Sequence, residues 1–368
     1  MSQHNLAQYF DFAPAGHTLD EVDTPVPVID LAVVARNIDR WQARCDKLGL
    51  ANRPHIKTHK LVPLARAQIA RGAKGVTVQK LGEAEVMADA GIGDLLLTFN
   101  VIGRAKLERL AALAKRTEIA VVADNDVVAD GIAWAGDAAR RPIRVLIETD
   151  TGAGRCGVQT PAAALSLARK IANTKGLKLG GLMTYPKAGA RAQAAEFLGQ
   201  TLDLFRKDGL PAETVSTGGT PDMWNDQGLS LATEYRAGTY IYNDRSLMAG
   251  ASRAEADCAL TVLATVVSRP TPERAILDAG SKALTSDLLG LTGYGVLKDH
   301  PEAVVYAHSE EHGFLDVSTM AVPPKVGDRV RIIPNHVCPV SNLFDRVVII
   351  DGDSVLGSVK VDARGTVW

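Results

Sequence analysis

Ile119-Ala120-Val121-Val122-Ala123-Asp124 and, further on, Arg144-Val145-Leu146-Ile147-Glu148-Thr149-Asp150 are short, nearly unbroken apolar runs that each end on a carboxylate. Runs of this length, rich in β-branched residues, read as strands buried on both faces, the habit of a parallel sheet. The unit repeats in both directions. Upstream lie Arg53–Lys57, Gly75–Gln79 and Asp94–Asn100; downstream lie Leu177–Tyr185, Glu213–Gly218 and Glu234–Tyr242. Stretches of helical period such as Lys106–Lys115 and Pro161–Asn173 separate most of them, while Pro221–Gly228 reads as a loop. No Gly-x-Gly-x-x-Gly follows an early strand, so the usual dinucleotide fingerprint is missing. Eight such units fit an α/β fold of the (β/α)8 TIM-barrel type over residues 25–245.

Outward from this rhythm the texture changes at both ends. Residues 1–30 are polar and irregular up to Thr24-Pro25-Val26-Pro27-Val28-Ile29-Asp30, and Leu31, Val34, Ile38 and Trp41 then recur at helical spacing. Beyond 245 the apolar segments Leu260–Ser268, Ala275–Asp278, Ala303–His308, Gly327–Ile333, Arg346–Ile350 and Val355–Val361 follow one another between turn signals such as Asp351-Gly352-Asp353. They predict an all-β domain over 246–368, joined by the arm 1–24.

Composition narrows the function classes. Lys and Arg number 41 against 42 Asp and Glu, which lacks the basic excess of a general nucleic-acid binder. Hydrophobic content of 46% with 23% charged residues suits a globular protein, and no apolar run approaches the ~20 residues of a membrane helix. Met1-Ser2-Gln3-His4-Asn5-Leu6 has neither a basic nor an apolar leader region, and the four cysteines (Cys45, Cys156, Cys258, Cys338) are scattered. The expectation is a cytoplasmic protein without a disulfide framework, bound to neither membrane nor nucleic acid.

In a βα barrel, chemistry sits at the C-terminal ends of the strands. The first ends in Pro54-His55-Ile56-Lys57-Thr58-His59-Lys60, where a lysine turned into the barrel mouth loses solvent and becomes a nucleophile. The fifth ends in Asp150-Thr151-Gly152-Ala153-Gly154-Arg155-Cys156-Gly157, glycines around one arginine that let backbone approach a ligand. After the seventh, Ser216-Thr217-Gly218-Gly219-Thr220 has the composition of a phosphate cup, and Arg236-Ala237-Gly238-Thr239 repeats a Gly-Thr pair next to it. In the β domain, Asn335-His336-Val337-Cys338 places an imidazole and a thiol two residues apart. On an extended strand these face one way, as two ligands of one Zn2+ would. His308, Glu310, Glu311 and His312 form another polar cluster, read as an exposed charged turn.

Together, the Pro-His-x-Lys-Thr-His-Lys, Asp-Thr-Gly-x-x-Arg-x-Gly and Arg-x-Gly segments and the late Asn-His-x-Cys-Pro resemble the D-threonine aldolase / D-serine dehydratase family, fold-type III pyridoxal-phosphate enzymes related to alanine racemase. The resemblance runs from about residue 24 to the C-terminus. It implies that Lys57, rather than Lys60, forms the Schiff base with pyridoxal 5'-phosphate. It also implies that Gln79, Arg155 and Tyr185 contact the cofactor, and that Thr217, Gly218, Gly219, Thr220, Gly238 and Thr239 hold its phosphate. Arg236 matches the racemase arginine that pairs with the pyridine nitrogen, and His336 and Cys338 match the ligands of a divalent metal, Mn2+ or Zn2+, with Mg2+ and Co2+ as further options. His59 is a candidate base for the substrate hydroxyl.

The implied reaction is aldol cleavage of a D-3-hydroxy amino acid, D-threonine giving glycine and acetaldehyde, in a homodimer acting on a small-molecule D-amino acid. Dehydration of D-serine or 3-hydroxy-D-aspartate to a 2-oxo acid and ammonia is the alternative. A racemase would need a β-domain tyrosine as second base, and neither Tyr294 nor Tyr306 sits in a matching segment; a non-catalytic pyridoxal-phosphate carrier would lack the β domain.

Overall fold

A computed structural model describes residues 5–250 and 253–368, so Met1–His4, part of the segment read for a leader, lie outside the described residues. The chain forms two compact units. One comprises 41–57, 68–238 and 366–368, the other the remainder of the described chain up to 365.

The first unit is the parallel barrel. Among the described residues its strands, in chain order after β1 (Val26–Asp30) of the other unit, are β2 (Ala51–Asn52), β3 (Val76–Val78), β4 (Leu95–Leu97), β5 (Ile119–Ala123), β6 (Ile143–Thr149), β7 (Leu177–Thr184), β8 (Thr214–Thr217) and β9 (Glu234–Tyr235). They pair in the order β2-β9-β8-β7-β6-β5-β4-β3, and a parallel bridge from His55 to Thr77 joins the two ends, closing the expected eight-stranded barrel. Leu96, Ala120, Val122, Leu146 and Met183, alternate residues of four adjacent strands, form a core cluster of their own, as side chains filling a barrel interior must. Helix starts follow local chemistry. Thr160 caps helix Pro161–Asn173 by accepting from the Ala163 N–H, and Pro161 sits in the first turn, where no amide hydrogen is needed. At the other end of the strands Arg53, fully buried, is paired with Glu234 (2.9 Å) and Asp94 (3.0 Å).

Two barrel strands are shorter than the sequence suggests. Arg53–Lys57 contributes only the bridge at His55, and Lys57 lies in a 3-10 turn, Ile56–Thr58. Glu234–Tyr242 pairs only over β9 and then bends into a second 3-10 turn, Thr239–Ile241. Both segments are mostly buried, which a strand and a buried turn share.

The second unit is the β domain, with β1 joined by β10 (Leu260–Thr271), β11 (Arg274–Leu277), β12 (Gly295–Leu297), β13 (His300–His308), β14 (Gly313–Asp316), β15 (Arg329–Pro334), β16 (Arg346–Asp351) and β17 (Ser354–Lys360). The order is β11-β14-β13-β12-β15-β10-β1-β16-β17, and an extra β10–β11 pairing closes six of these strands into a ring. Leu260, Val262, Ala264 and Val266 of β10 point alternately into the core, with Ala275, Leu277, Val305, Leu315 and Ile332. β1 belongs here, antiparallel to β10 and parallel to β16. β12 and β14 carry no sequence signal long enough to announce them.

Candidate functional site

In the barrel unit, Lys57 is half-buried at the C-terminal rim and its backbone N–H donates to His55 Nδ1 (3.4 Å). The other ring nitrogen of His55 is bonded to Gln79 Oε1 (3.1 Å), and Gln79 donates its amide to the Thr98 carbonyl (3.0 Å). Glu83, at the start of the next helix, accepts from the Gln79 backbone (2.7 Å). Gln79 and Lys57 therefore share one hydrogen-bonded shell. The Lys60 amine is turned elsewhere: the side chain is buried, with Nζ against the Ala363 carbonyl at 3.3 Å, both in the β unit.

The glycine-rich loop after β6 is held by two strand-end carboxylates. Asp150 accepts from the Gly152 (3.0 Å) and Gly154 (3.2 Å) amides, and Asp124 from Gly157 (2.9 Å). Burial alone would raise the Asp150 carboxyl, but those amides keep it below its ordinary range. Gly157 is obligatory: its φ is +122°, and a Cβ there would lie 2.3 Å from the Asp150 nitrogen. The loop carries Arg155 to the face of Tyr185, 5.0 Å from guanidinium carbon to ring centroid, with Glu148 at 3.8 Å on its other side. Glu148 is buried and lies beyond what sequence reasoning singled out. Burial pushes its carboxyl up, while Arg155 and Arg236 pull it back.

Arg236 is buried, donating to Ser216 Oγ (2.7 Å) and the Thr184 carbonyl (2.8 Å), while Ser216 donates to Glu234 (2.6 Å). Desolvation lowers it to about 10 despite Glu234 and Glu148, so it remains a cation at neutral pH. Beside it, the Thr217–Thr220 turn is shaped by glycine. Gly218 has φ +97° and would press a Cβ to 2.3 Å of the Tyr235 ring; Gly219 would press one to 2.7 Å of Tyr185. Thr220 Oγ1 accepts from the Gly238 amide (3.2 Å), which draws the two Gly-Thr segments together. A glycine turn with hydroxyls and main-chain amides, near buried Arg236 and flanked by an aromatic ring, fits a phosphorylated pyridine.

Thr239 belongs to the β unit, where its hydroxyl lies 3.7 Å from Cys338 Sγ and that of Thr58 lies 3.2 Å from the same sulfur. His336 and Cys338 are not on a strand. His336 is the extended cap residue (φ −145°, ψ 109°) of helix Val337–Leu343, and Cys338 lies in its first turn. The corner arises because Pro339 suits a helix start and Val337 and Val340 are drawn into the core. His336 Nδ1 donates to Asp287 Oδ2 at 2.7 Å, so Nε2 is the ring nitrogen that would be offered to a metal ligated by a neutral imidazole. Desolvation would lower this imidazole, but Cys338, Asp287 and the buried Asp244 raise it to about 9. Asp244 also caps the corner by accepting from the Val337 amide (3.2 Å). Asn335 fastens the Asp287 loop, donating to the Asp287 (3.2 Å) and Gly293 (2.8 Å) carbonyls. Among the described residues no group of three or more His, Cys, Asp and Glu converges as a full metal set. His59 is buried, its Nδ1 accepting from the Leu61 amide (3.0 Å) and its ring edge-on to Tyr242 at 6.5 Å. Asp287 and Asp244 escaped sequence reasoning because neither sits in a motif.

Residues 29–246 match the alanine racemase N-terminal domain, and residues 259–350 a putative serine dehydratase domain. Along its length the chain is 35% identical to a D-threonine aldolase from Arthrobacter sp, over 96% of each chain. It superposes on a solved D-threonine aldolase from Filomicrobium marinum with a TM-score of 0.90 at 34% identity, covering 97% of this chain and all of that one. It is also similar to D-threo-3-hydroxyaspartate dehydratase, solved as a cysteine-to-alanine mutant in the metal-free form (TM-score 0.84, 33% identity, 93% of this chain and 98% of that one). A second solved mutant replaces a histidine numbered two positions before that cysteine.

Proposed function

This chain belongs to the alanine-racemase-like, fold-type III family that includes D-threonine aldolase and D-serine dehydratase, and from that premise we propose that it is a pyridoxal-phosphate- and metal-dependent lyase cleaving D-3-hydroxy amino acids, D-threonine to glycine and acetaldehyde. One observation carries the reading. The same chain pairs a racemase-type barrel, whose rim presents Lys57, with a His336–Cys338 corner whose imidazole is already oriented by Asp287.

When bound, the cofactor withdraws electrons from the bonds at the substrate's Cα. Lys57 would be its covalent anchor. The Thr217–Thr220 turn and Gly238 would seat the phosphate, and Arg155, Tyr185 and Gln79 would fix the ring. Arg236, held by Ser216 and Thr184, supplies a fixed positive charge for the ring nitrogen. His336 and Cys338 would hold the divalent cation, which acts as a Lewis acid toward the substrate's β-hydroxyl. A thiolate ligand favours Zn2+, while open positions also accept Mn2+. His59, buried in the β unit, would be the candidate base for that hydroxyl.

Dehydration is the second reading, because the histidine and cysteine replaced in the two dehydratase mutants have the spacing of His336 and Cys338. The test is incubation with D-threonine, pyridoxal phosphate and either Mn2+ or Zn2+. Acetaldehyde with glycine supports cleavage; 2-oxobutanoate with ammonia supports dehydration; an epimer alone refutes both. The enzyme is further proposed to be a cytoplasmic homodimer. All four cysteines are free, and among the described residues no helix is long and apolar enough to cross a membrane. Sedimentation equilibrium tests the assembly.

A further inference from the structure

We infer that His55 is a positioning residue that sets the direction of Lys57 through one fixed imidazole tautomer, an inference that rests on Lys57 being the cofactor lysine. The polarity of the network can be read from its far end. The Thr98 carbonyl can only accept, so the NH2 of Gln79 faces it at 3.0 Å and Gln79 Oε1 faces His55. An amide oxygen also only accepts, so His55 Nε2 donates across the 3.1 Å contact. Nδ1 is then the acceptor for the Lys57 backbone N–H, at 3.4 Å.

The bond from the N–H of residue i+2 to the side chain of residue i is the geometry of an Asx turn, made here by a histidine. It shapes the 3-10 turn Ile56–Thr58 that carries Lys57. His55 itself cannot drift. Its amide donates to the Ala237 carbonyl (2.9 Å), and its backbone bridges to Thr77, so the ring hangs from the closing seam of the barrel. Glu83 locks Gln79 from behind by accepting its backbone N–H (2.7 Å). The line Glu83–Gln79–His55–Lys57 thus transmits barrel rigidity to the one amine the chemistry needs.

The test joins spectroscopy of the cofactor-free protein to two variants. In the apo protein, 15N NMR of labelled histidine should show the His55 ring protonated on Nε2 and bare on Nδ1. His55→Leu should keep its thermal transition and lower kcat on the order of 10²-fold, with KM within a few-fold, because misplacing a reacting group by about 1 Å costs that much. His55→Asn should recover most of this loss, since its Oδ1 can accept from the same N–H. An Nδ1-protonated ring in the apo protein overturns the inference, as does a His55→Leu enzyme with wild-type kcat. Should His55→Leu not fold, the tautomer and the His55→Asn kinetics decide. Survival of the cofactor's absorbance in Lys57→Ala would refute the functional reading instead, leaving the tautomer result untouched.

Discussion

The barrel rim and the β-domain corner hold their functional groups in different ways. In the barrel the cradle is mostly main chain. Gly218 and Gly157 leave no room for a Cβ, strand-end carboxylates tie the loop amides, and Arg236 is buried in fixed hydrogen bonds. In the β domain His336 and Cys338 stand on one short helix corner, aligned by a single half-exposed carboxylate, Asp287, and by the buried cap Asp244. The difference assigns roles. On the function proposed above, the cradle would seat the phosphorylated cofactor, in the part of the chain that matches the racemase domain. On that proposal the corner would hold the metal that acts on the substrate's β-hydroxyl.

Variants can break this contrast at either end. Lys57→Ala should have the largest effect, lowering turnover on the order of 10³-fold or more and removing the visible absorbance of bound cofactor. A variant that retains both would detach the barrel rim from the chemistry. Next, His336→Ala should abolish metal stimulation, a loss of about 10²-fold or more, while the cofactor absorbance persists. Disappearance of that absorbance would show the two regions to be less independent than described.

Gly218→Ala should destabilise the protein by about 1–3 kcal/mol through overpacking against Tyr235 at a left-handed φ. Thermal denaturation with and without pyridoxal phosphate reads it, and an unchanged transition would mean the cradle is not closed by glycine. Asp287→Asn should be mildest, weakening metal affinity about tenfold by calorimetry, the low end for a metal-orienting carboxylate because Asp287 is half-exposed. Unchanged affinity would remove it from the metal's surroundings.

Much of the barrel was legible because buried parallel strands must be continuously apolar, and β5, β6 and β7 announce themselves that way. Arg53–Lys57 and Glu234–Tyr242 read as longer strands than they are, because burial continues there after strand pairing stops. The motif residues Lys57, Arg155, Gly218 and His336 could be named because each stands in a compositional anomaly. Glu148, Asp244 and Asp287 could not. Their importance comes from long-range pairing, Asp287 with His336 across 49 residues, and a lone carboxylate in a loop carries no local signature. His55 is the instructive middle case. It was visible in the same seven-residue run as Lys57, yet its role depends on Gln79 and Thr98 fixing which nitrogen carries the proton.

The most direct test of the central claim is chemical. Cofactor-loaded protein is reduced with borohydride, digested, and mapped by mass spectrometry for the residue that carries the pyridoxyl group. The account predicts a single modified amine, that of Lys57. A pyridoxyl group on Lys60, or on no lysine, would contradict it.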